Sequence, residues 1–266
     1  MAQYTFKWLI MEPITNIYNN NSYISNNPSL HTEDSDFKYN NLKFFLEKIE
    51  VNNNHIKILD IGGGAGLLGL YVLNYFENLN IDVTIHALDL SLEMLKVQVS
   101  NNPKISKTFN CTLEECPVIN YDLALMIDVI EHIPNHTLGA QTLNKISKNI
   151  IYNIPIEINA FDIIRNIYNK FNFYNEQTRL LGHVHFFTNI NAVLFLKKHH
   201  LIVKGFFIPY CFLIKNSKYE GYAELRKSKF RNLENRISCF VAIKFKSLSP
   251  YLIQGSYYAL VKSSKI

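Results

Sequence analysis

The sequence contains no Cys-x-x-Cys pair, no internal repeat and no apolar run long enough to cross a bilayer. Its four cysteines, Cys111, Cys116, Cys211 and Cys239, make no paired framework, which argues against a disulfide scaffold and fits a reduced, cytoplasmic chain. The N-terminus carries Glu12 and many asparagines where a signal peptide would have a basic stretch and an apolar core. The longest apolar stretch, residues 237–245, is interrupted by Lys244, so no transmembrane segment is expected. Charge is also sparse, with 18% charged residues and a formal net charge of +5. The densest basic stretch, residues 215–229, is interleaved with Glu220 and Glu224 and reads as a solvated face; no nucleic-acid partner is expected.

What is present is apolar material. With 266 residues, 48% hydrophobic and 13% aromatic, the chain can fill one α/β domain with a cap, or two small domains. Residues 1–35 are polar and irregular. Trp8, Leu9, Ile10, Ile14, Ile17 and Tyr18 are nevertheless too apolar for a disordered tail, so a cap segment is expected there, with the main domain over 36–266. Ser35 or Asp36 can cap a helix running to about Glu50, with Phe37, Leu42, Phe45, Leu46 and Ile49 on one face.

The rest of the chain is organised around residues 56–66. Ile56, Ile58 and Leu59 read as a buried strand ending in Asp60, followed by Gly62, Gly64 and Gly66, and then by a helical run from Leu67. Glycine is expected there because a side chain at Gly62, Gly64 or Gly66 would hold a ligand off the backbone, and because the turn calls for φ > 0. The loop amides and the next helix N-terminus would then face that ligand with partial positive charge. Gly64-Ala65-Gly66-Leu67-Leu68-Gly69 also fits the G-x-G-x-x-G dinucleotide pattern, with Asp89 twenty residues beyond Gly69. A nicotinamide-dependent reductase is therefore the competing reading.

Downstream segments separate the two. A second buried strand over 82–89 ends in Asp89 and is followed by Leu90 and a Ser91-capped helix; an acid there can accept both ribose hydroxyls. A short third strand leads into Cys111-Thr112-Leu113-Glu114-Glu115-Cys116-Pro117. A fourth strand runs from Tyr121 to Ile127 and continues as Asp128-Val129-Ile130-Glu131-His132-Ile133. Later comes Gly182-His183-Val184-His185-Phe186-Phe187. In this order these segments resemble class I, Rossmann-like methyltransferases dependent on S-adenosyl-L-methionine (SAM). Within that class they resemble bacterial small-molecule enzymes related to quinone-biosynthesis O-methyltransferases. The resemblance spans residues 56–134, with Asn27-Pro28-Ser29-Leu30-His31 and the Gly182 segment outside that core. It implies a doubly wound seven-stranded α/β sheet, its last strand antiparallel between the fifth and sixth. It also implies an N-terminal cap and a helical insertion, here about 208–250, before that last strand.

The same resemblance implies site roles. Asp60, Gly62, Gly64 and Gly66 would hold the methionine end of SAM, Asp89 and Leu90 the ribose, and Thr112 and Leu113 the adenine, with Cys111 as the alternative to Thr112. Ile127 and Asp128 would complete the pocket, and His31 and Phe37 could close over it. The product would be S-adenosyl-L-homocysteine (SAH). For a hydroxyl acceptor a base is needed, and His132, just past the fourth strand, is the first candidate. His183 and His185 follow; being alternate in sequence, at most one of them should point at the pocket. Glu131 and His132 lack a visible third ligand, so no metal is expected. The resulting expectation is O-methylation of a small-molecule acceptor in biosynthesis, with N-methylation, a peptide or RNA acceptor, or SAM binding without catalysis as alternatives.

Overall fold

The computed structural model describes residue 30, residues 32–217 and residues 219–264. Most of the expected cap, residues 1–29 together with His31, lies outside the described residues. Seven strands form one sheet: β1 (His55–Ile61), β2 (Asp82–Leu88), β3 (Ile105–Phe109), β4 (Tyr121–Ile127), β5 (Ser147–Ile156), β6 (His200–Pro209) and β7 (Gly255–Ser263). Their order is β3-β2-β1-β4-β5-β7-β6. Strands β1 to β5 pair in parallel, and β7 runs antiparallel to both β5 and β6. This is the sheet that the motif order implied.

The central strands read as unbroken apolar runs because helices cover both faces of a parallel sheet. Along β4, Ala124 and Met126 pack into one core, while Leu123 and Leu125 pack into the other. That alternation is the two-residue period of a strand. The first half of the chain supplies α1 (Thr32–Leu46), α2 (Leu67–Glu77), α3 (Leu92–Asn101) and α4 (His136–Ile146). The second half supplies α5 (Ala160–Tyr168), α6 (Phe173–Leu181) and α7 (Asn189–His199). Between β6 and β7 lie α8 (Cys211–Asn216), α9 (Glu220–Lys227), α10 (Lys229–Lys244) and α11 (Ser249–Leu252). Ser91, Asn135 and Thr188 cap α3, α4 and α7, each accepting a first-turn backbone N–H.

Helix α1 departs from expectation at its start and on its inner face. It begins at Thr32, ahead of the expected caps, and buries Ser35, Lys38, Leu42, Phe45 and Leu46. Phe37 is only half-buried, because the polar pair Ser35 and Lys38 takes the inward register. Phe45 has no exposed surface and stacks on Phe206 of β6 at 5.0 Å and 19°, which fastens α1 to the sheet. Phe45→Ala should cost about 3–5 kcal/mol in urea denaturation. A loss under about 1 kcal/mol would mean that α1 opens independently of the sheet.

Candidate active site

Strand β1 ends in a buried acid. Asp60 is 3% exposed, and the chain leaves the sheet just beyond it through the glycines. Gly62, Gly64 and Gly66 sit at φ 58°, 56° and 79°, in the left-handed region. Their neighbours differ from expectation, however. A Cβ on Gly62 would lie 2.8 Å from Val129, and one on Gly66 would lie 3.0 Å from the Gln98 backbone. A Cβ on Gly64 would meet the Leu30 carbonyl at 3.0 Å. Turn geometry and protein packing therefore account for these three glycines. Two others protect the acid: a Cβ on Gly63 or Gly69 would stand 2.4 or 2.3 Å from Asp60 Oδ2. Only hydrogen at both positions leaves the carboxylate room.

The loop is tied down on both sides. Gly62 N–H donates to the Leu88 carbonyl at 2.8 Å, and Ala65 N–H to the Leu30 carbonyl at 3.2 Å. Asp89 follows β2 directly and is 9% exposed. Its carboxylate accepts Ser91 N–H at 2.9 Å and Gln98 Nε2 at 3.1 Å. Because Ser91 is the cap of α3, Asp89 is not consumed as a helix cap and keeps lone pairs for a ligand.

Between these tips lies a cavity of about 460 Å³. Asp60, Gly62, Gly64, Asp89, Leu90, Thr112, Leu113, Ile127, Asp128 and His132 all line it, as does Cys111. Its size and mainly apolar wall with few convergent polar groups suit a small ligand. Burial pushes the Asp60 carboxyl up to about 7, helped by the charge of Asp89. Burial likewise raises Asp89 to about 6, against the pull of its hydrogen bonds from Ser91 and Gln98. Two adjacent acids reluctant to ionise favour a ligand that brings positive charge. The Thr112 hydroxyl donates to Glu115 Oε2 at 3.0 Å, closing a one-turn cap that presents the 111–115 backbone to the cavity.

A second polar group at the cavity comes from α1, where the sequence reading named no polar ligand. Lys38 Nζ lies 2.8 Å from both Asp34 Oδ2 and Asp128 Oδ2. Burial alone would depress the ammonium, but Asp128 and Asp34 outweigh it and hold the proton firmly. Asp128 takes a left-handed φ of 53°, with its N–H on the Asn153 carbonyl at 3.1 Å. The available sequence signal was Lys38 itself, standing at helical spacing with Leu42, Phe45 and Leu46 on the buried face.

Three of the expected site residues are not wall residues, and each has a structural reason. Gly66 is taken up by the turn into α2. His185 Nε2 lies 3.0 Å from the Ile133 carbonyl and 3.2 Å from His136, so it staples segments behind the cavity. His183 stands one layer back, its ring edge-on to His132 at 4.8 Å, with Nδ1 2.9 Å from Glu157 Oε1. The two histidines diverge, as their alternation implied. Phe37 is also absent from the wall, and His31 is outside the described residues.

His183 supplies what the sequence appeared to lack, a third ligand beside Glu131 and His132. Val184 and His185 donate their backbone N–H groups to the Glu131 carbonyl at 2.9 and 3.1 Å, which carries His183 there from fifty residues away. One ligand atom from each of Glu131, His132 and His183 falls within 4.8 Å of the others. Bonds of zinc length put tetrahedral ligands about 3.4 Å apart, so closure on an ion needs a modest side-chain rotation. Glu131 is fully buried, and among the described residues neither of its carboxylate oxygens has a hydrogen-bond partner. Burial, then the charge of Asp128, raises its pKa well above the carboxylate range. Glu157 on His183 Nδ1 is the carboxylate support that metal-binding imidazoles commonly have. The expectation of no metal therefore rested on sequence distance, which the fold removes. Addition of Mn²⁺ or Zn²⁺ should raise the melting temperature of the protein, and Glu131→Gln should abolish that rise. An equal shift in both proteins would dismiss the cluster as a cation site.

No protein-family model matches the chain, and no curated protein sequence matches it. Solved structures do. The cyclopropane synthase MmaA2 from Mycobacterium tuberculosis aligns with TM-score 0.58 at 14% identity, over 84% of this chain and 83% of that one. Phosphoethanolamine N-methyltransferase 2 from Haemonchus contortus, in complex with phosphomonomethylethanolamine and SAH, aligns at 0.57 and 12%, over 85% of this chain. This chain spans 53% of that longer protein. The cyclase SpnF aligns at 0.53 and 10%, covering 84% and 80%. At such identities the likeness is one of architecture, and one of these neighbours is named for a cyclisation. The chain has the seven-stranded Rossmann-like fold of class I methyltransferases.

Proposed function

We propose that this chain is a SAM-dependent methyltransferase that methylates a hydroxyl oxygen of a small-molecule acceptor. The observation that carries this reading is the pair Asp60 and Asp89. Both are buried at neighbouring strand tips beside the glycine loop, and both are held above their ordinary pKa by burial. SAM carries a cationic ammonium and sulfonium together with a ribose diol, the groups these carboxylates suit. Asp60 and the glycine turn beside it hold the methionine end, Asp89 the ribose, and the backbone around Thr112 and Leu113 the adenine.

The acceptor would approach from the side of Asp128 and His132. Its oxygen attacks the methyl carbon as the carbon–sulfur bond breaks, the bonding pair passes to sulfur, and SAH leaves as a neutral thioether. The hydroxyl proton goes to His132, and alignment of oxygen, methyl and sulfur supplies up to roughly 7–11 kcal/mol of the barrier reduction. The Glu131 oxygens, which accept no hydrogen bond among the described residues and of which Oε1 stands 3.8 Å from His132 Nε2, favour a second arrangement, in which Glu131, His132 and His183 hold a divalent cation. That ion would polarise the acceptor hydroxyl, and His132 would then serve as a ligand in place of base.

Two measurements test the reading. Bound SAM requires both carboxylates ionised, so binding below pH about 7 releases protons. Affinity should climb as pH rises from about 5 to about 7, by up to tenfold per unit for each proton displaced, and level off above. Asp60→Asn should bind more weakly and flatten the upper part of that rise. Binding of NAD(H) in place of SAM, or SAM affinity independent of pH, would remove the assignment. His132→Ala should lower turnover about 10²–10⁴-fold with SAM affinity nearly unchanged. Chelator-sensitive turnover in the parent protein marks His132 as a ligand, and chelator-resistant turnover marks it as the base.

A further inference from the structure

Two helices far apart in sequence, linked by an ion pair, each turn apolar side chains to solvent. On α10, Phe230, Leu233, Ile237 and Phe240 recur at spacings of three and four residues, with Phe230 74% and Phe240 55% exposed. The opposite face, Ser238, Cys239 and Ala242, is buried against Cys211 and Ile253. On α5, Ile163, Ile164, Ile167 and Tyr168 are exposed while Asp162 is buried. Arg165 joins the two helices, bonding Asp162 on its own helix and Glu234 on α10. Single exposed apolar residues need no explanation, but a coherent stripe on two linked helices does.

We propose that this face docks on an anionic lipid bilayer. The charge pattern selects that partner. By helical spacing Lys229, Arg236 and Lys244 fall in the same arc of α10 as Phe230, Leu233, Ile237 and Phe240, and no acid does. The acid of α10, Glu234, lies outside that arc and is consumed by Arg165 and Arg231. Over residues 211–252 nine basic side chains stand against three acidic ones, a surplus larger than the +5 of the whole chain. Aromatic and branched residues sink into the headgroup boundary while flanking Lys and Arg extend their ammonium and guanidinium groups to lipid phosphates. A second copy of the chain fits worse. A two-fold contact through this face would set the three cations of each copy against those of the other, and Lys is depleted at protein interfaces. Among the described residues no helix is long and apolar enough to span a membrane, so the contact is one of surface docking.

Vesicle cosedimentation of the full chain tests this independently of SAM. The protein should sediment with vesicles of phosphatidylcholine and phosphatidylglycerol, and much less with phosphatidylcholine alone or at high salt. The double variant Ile237→Glu/Phe240→Glu should lose at least tenfold in partitioning while keeping its melting temperature, since both side chains face solvent. Arg236→Gln and Lys244→Gln should each weaken partitioning about fivefold. Failure of the parent protein to sediment with anionic vesicles, or undiminished sedimentation of the double variant, overturns the proposal. So does a concentration-dependent dimer in sedimentation velocity that the double variant abolishes in a protein that ignores vesicles, since that outcome assigns the face to self-association.

Discussion

The burial of one carboxylate organises this molecule. Asp60 stands at the end of a central strand with glycines on two sides of it, and a methyl group at Gly63 or Gly69 would occupy its oxygen's place. An acid shut away from water is costly unless something compensates, and here its pKa has moved to about 7. The protein keeps that strain next to a cavity. Asp89 adds a second buried acid across the β1–β2 pair, so this sheet edge is poised for a cation.

The opposite side of the cavity is arranged differently. There the acid Asp128 is compensated internally by Lys38, which also binds Asp34. A neutralised acid in a left-handed conformation positions the turn after β4 without competing for a cationic cofactor. Beyond it the buried Glu131 carboxylate accepts no hydrogen bond among the described residues, and its carbonyl, through two backbone bonds, draws in the segment that bears His183. The cavity thus has one end suited to positive charge and another where imidazoles and a buried acid converge.

The fold and half of this arrangement could be read in advance, for reasons visible at single residues. Alternating glycines betray left-handed turns; apolar runs ending in Asp60 and Asp89 betray strand tips; Ser91 announces a helix start. Each is a local signal, carried within a few residues of what it specifies. Gly63 was less legible, because its reason lies in the carboxylate three residues away folding back over the loop. Lys38 is not legible as a site residue because a lysine on a helix normally marks the solvent side.

Local chain chemistry was enough to specify strand order, the glycine turn and the acids at the sheet edge, since hydrophobic period and turn residues act over short spans. Three-dimensional packing was needed for the convergences: His183 onto His132, Lys38 onto Asp128, α5 onto α10. These are contacts between segments ninety residues apart or more in one case and about fifty or more in all, and no periodicity encodes which distant side chain arrives. That His183 and His185 diverge follows from their alternate spacing, whereas their partners, Glu157 and the Ile133 carbonyl, are supplied by packing.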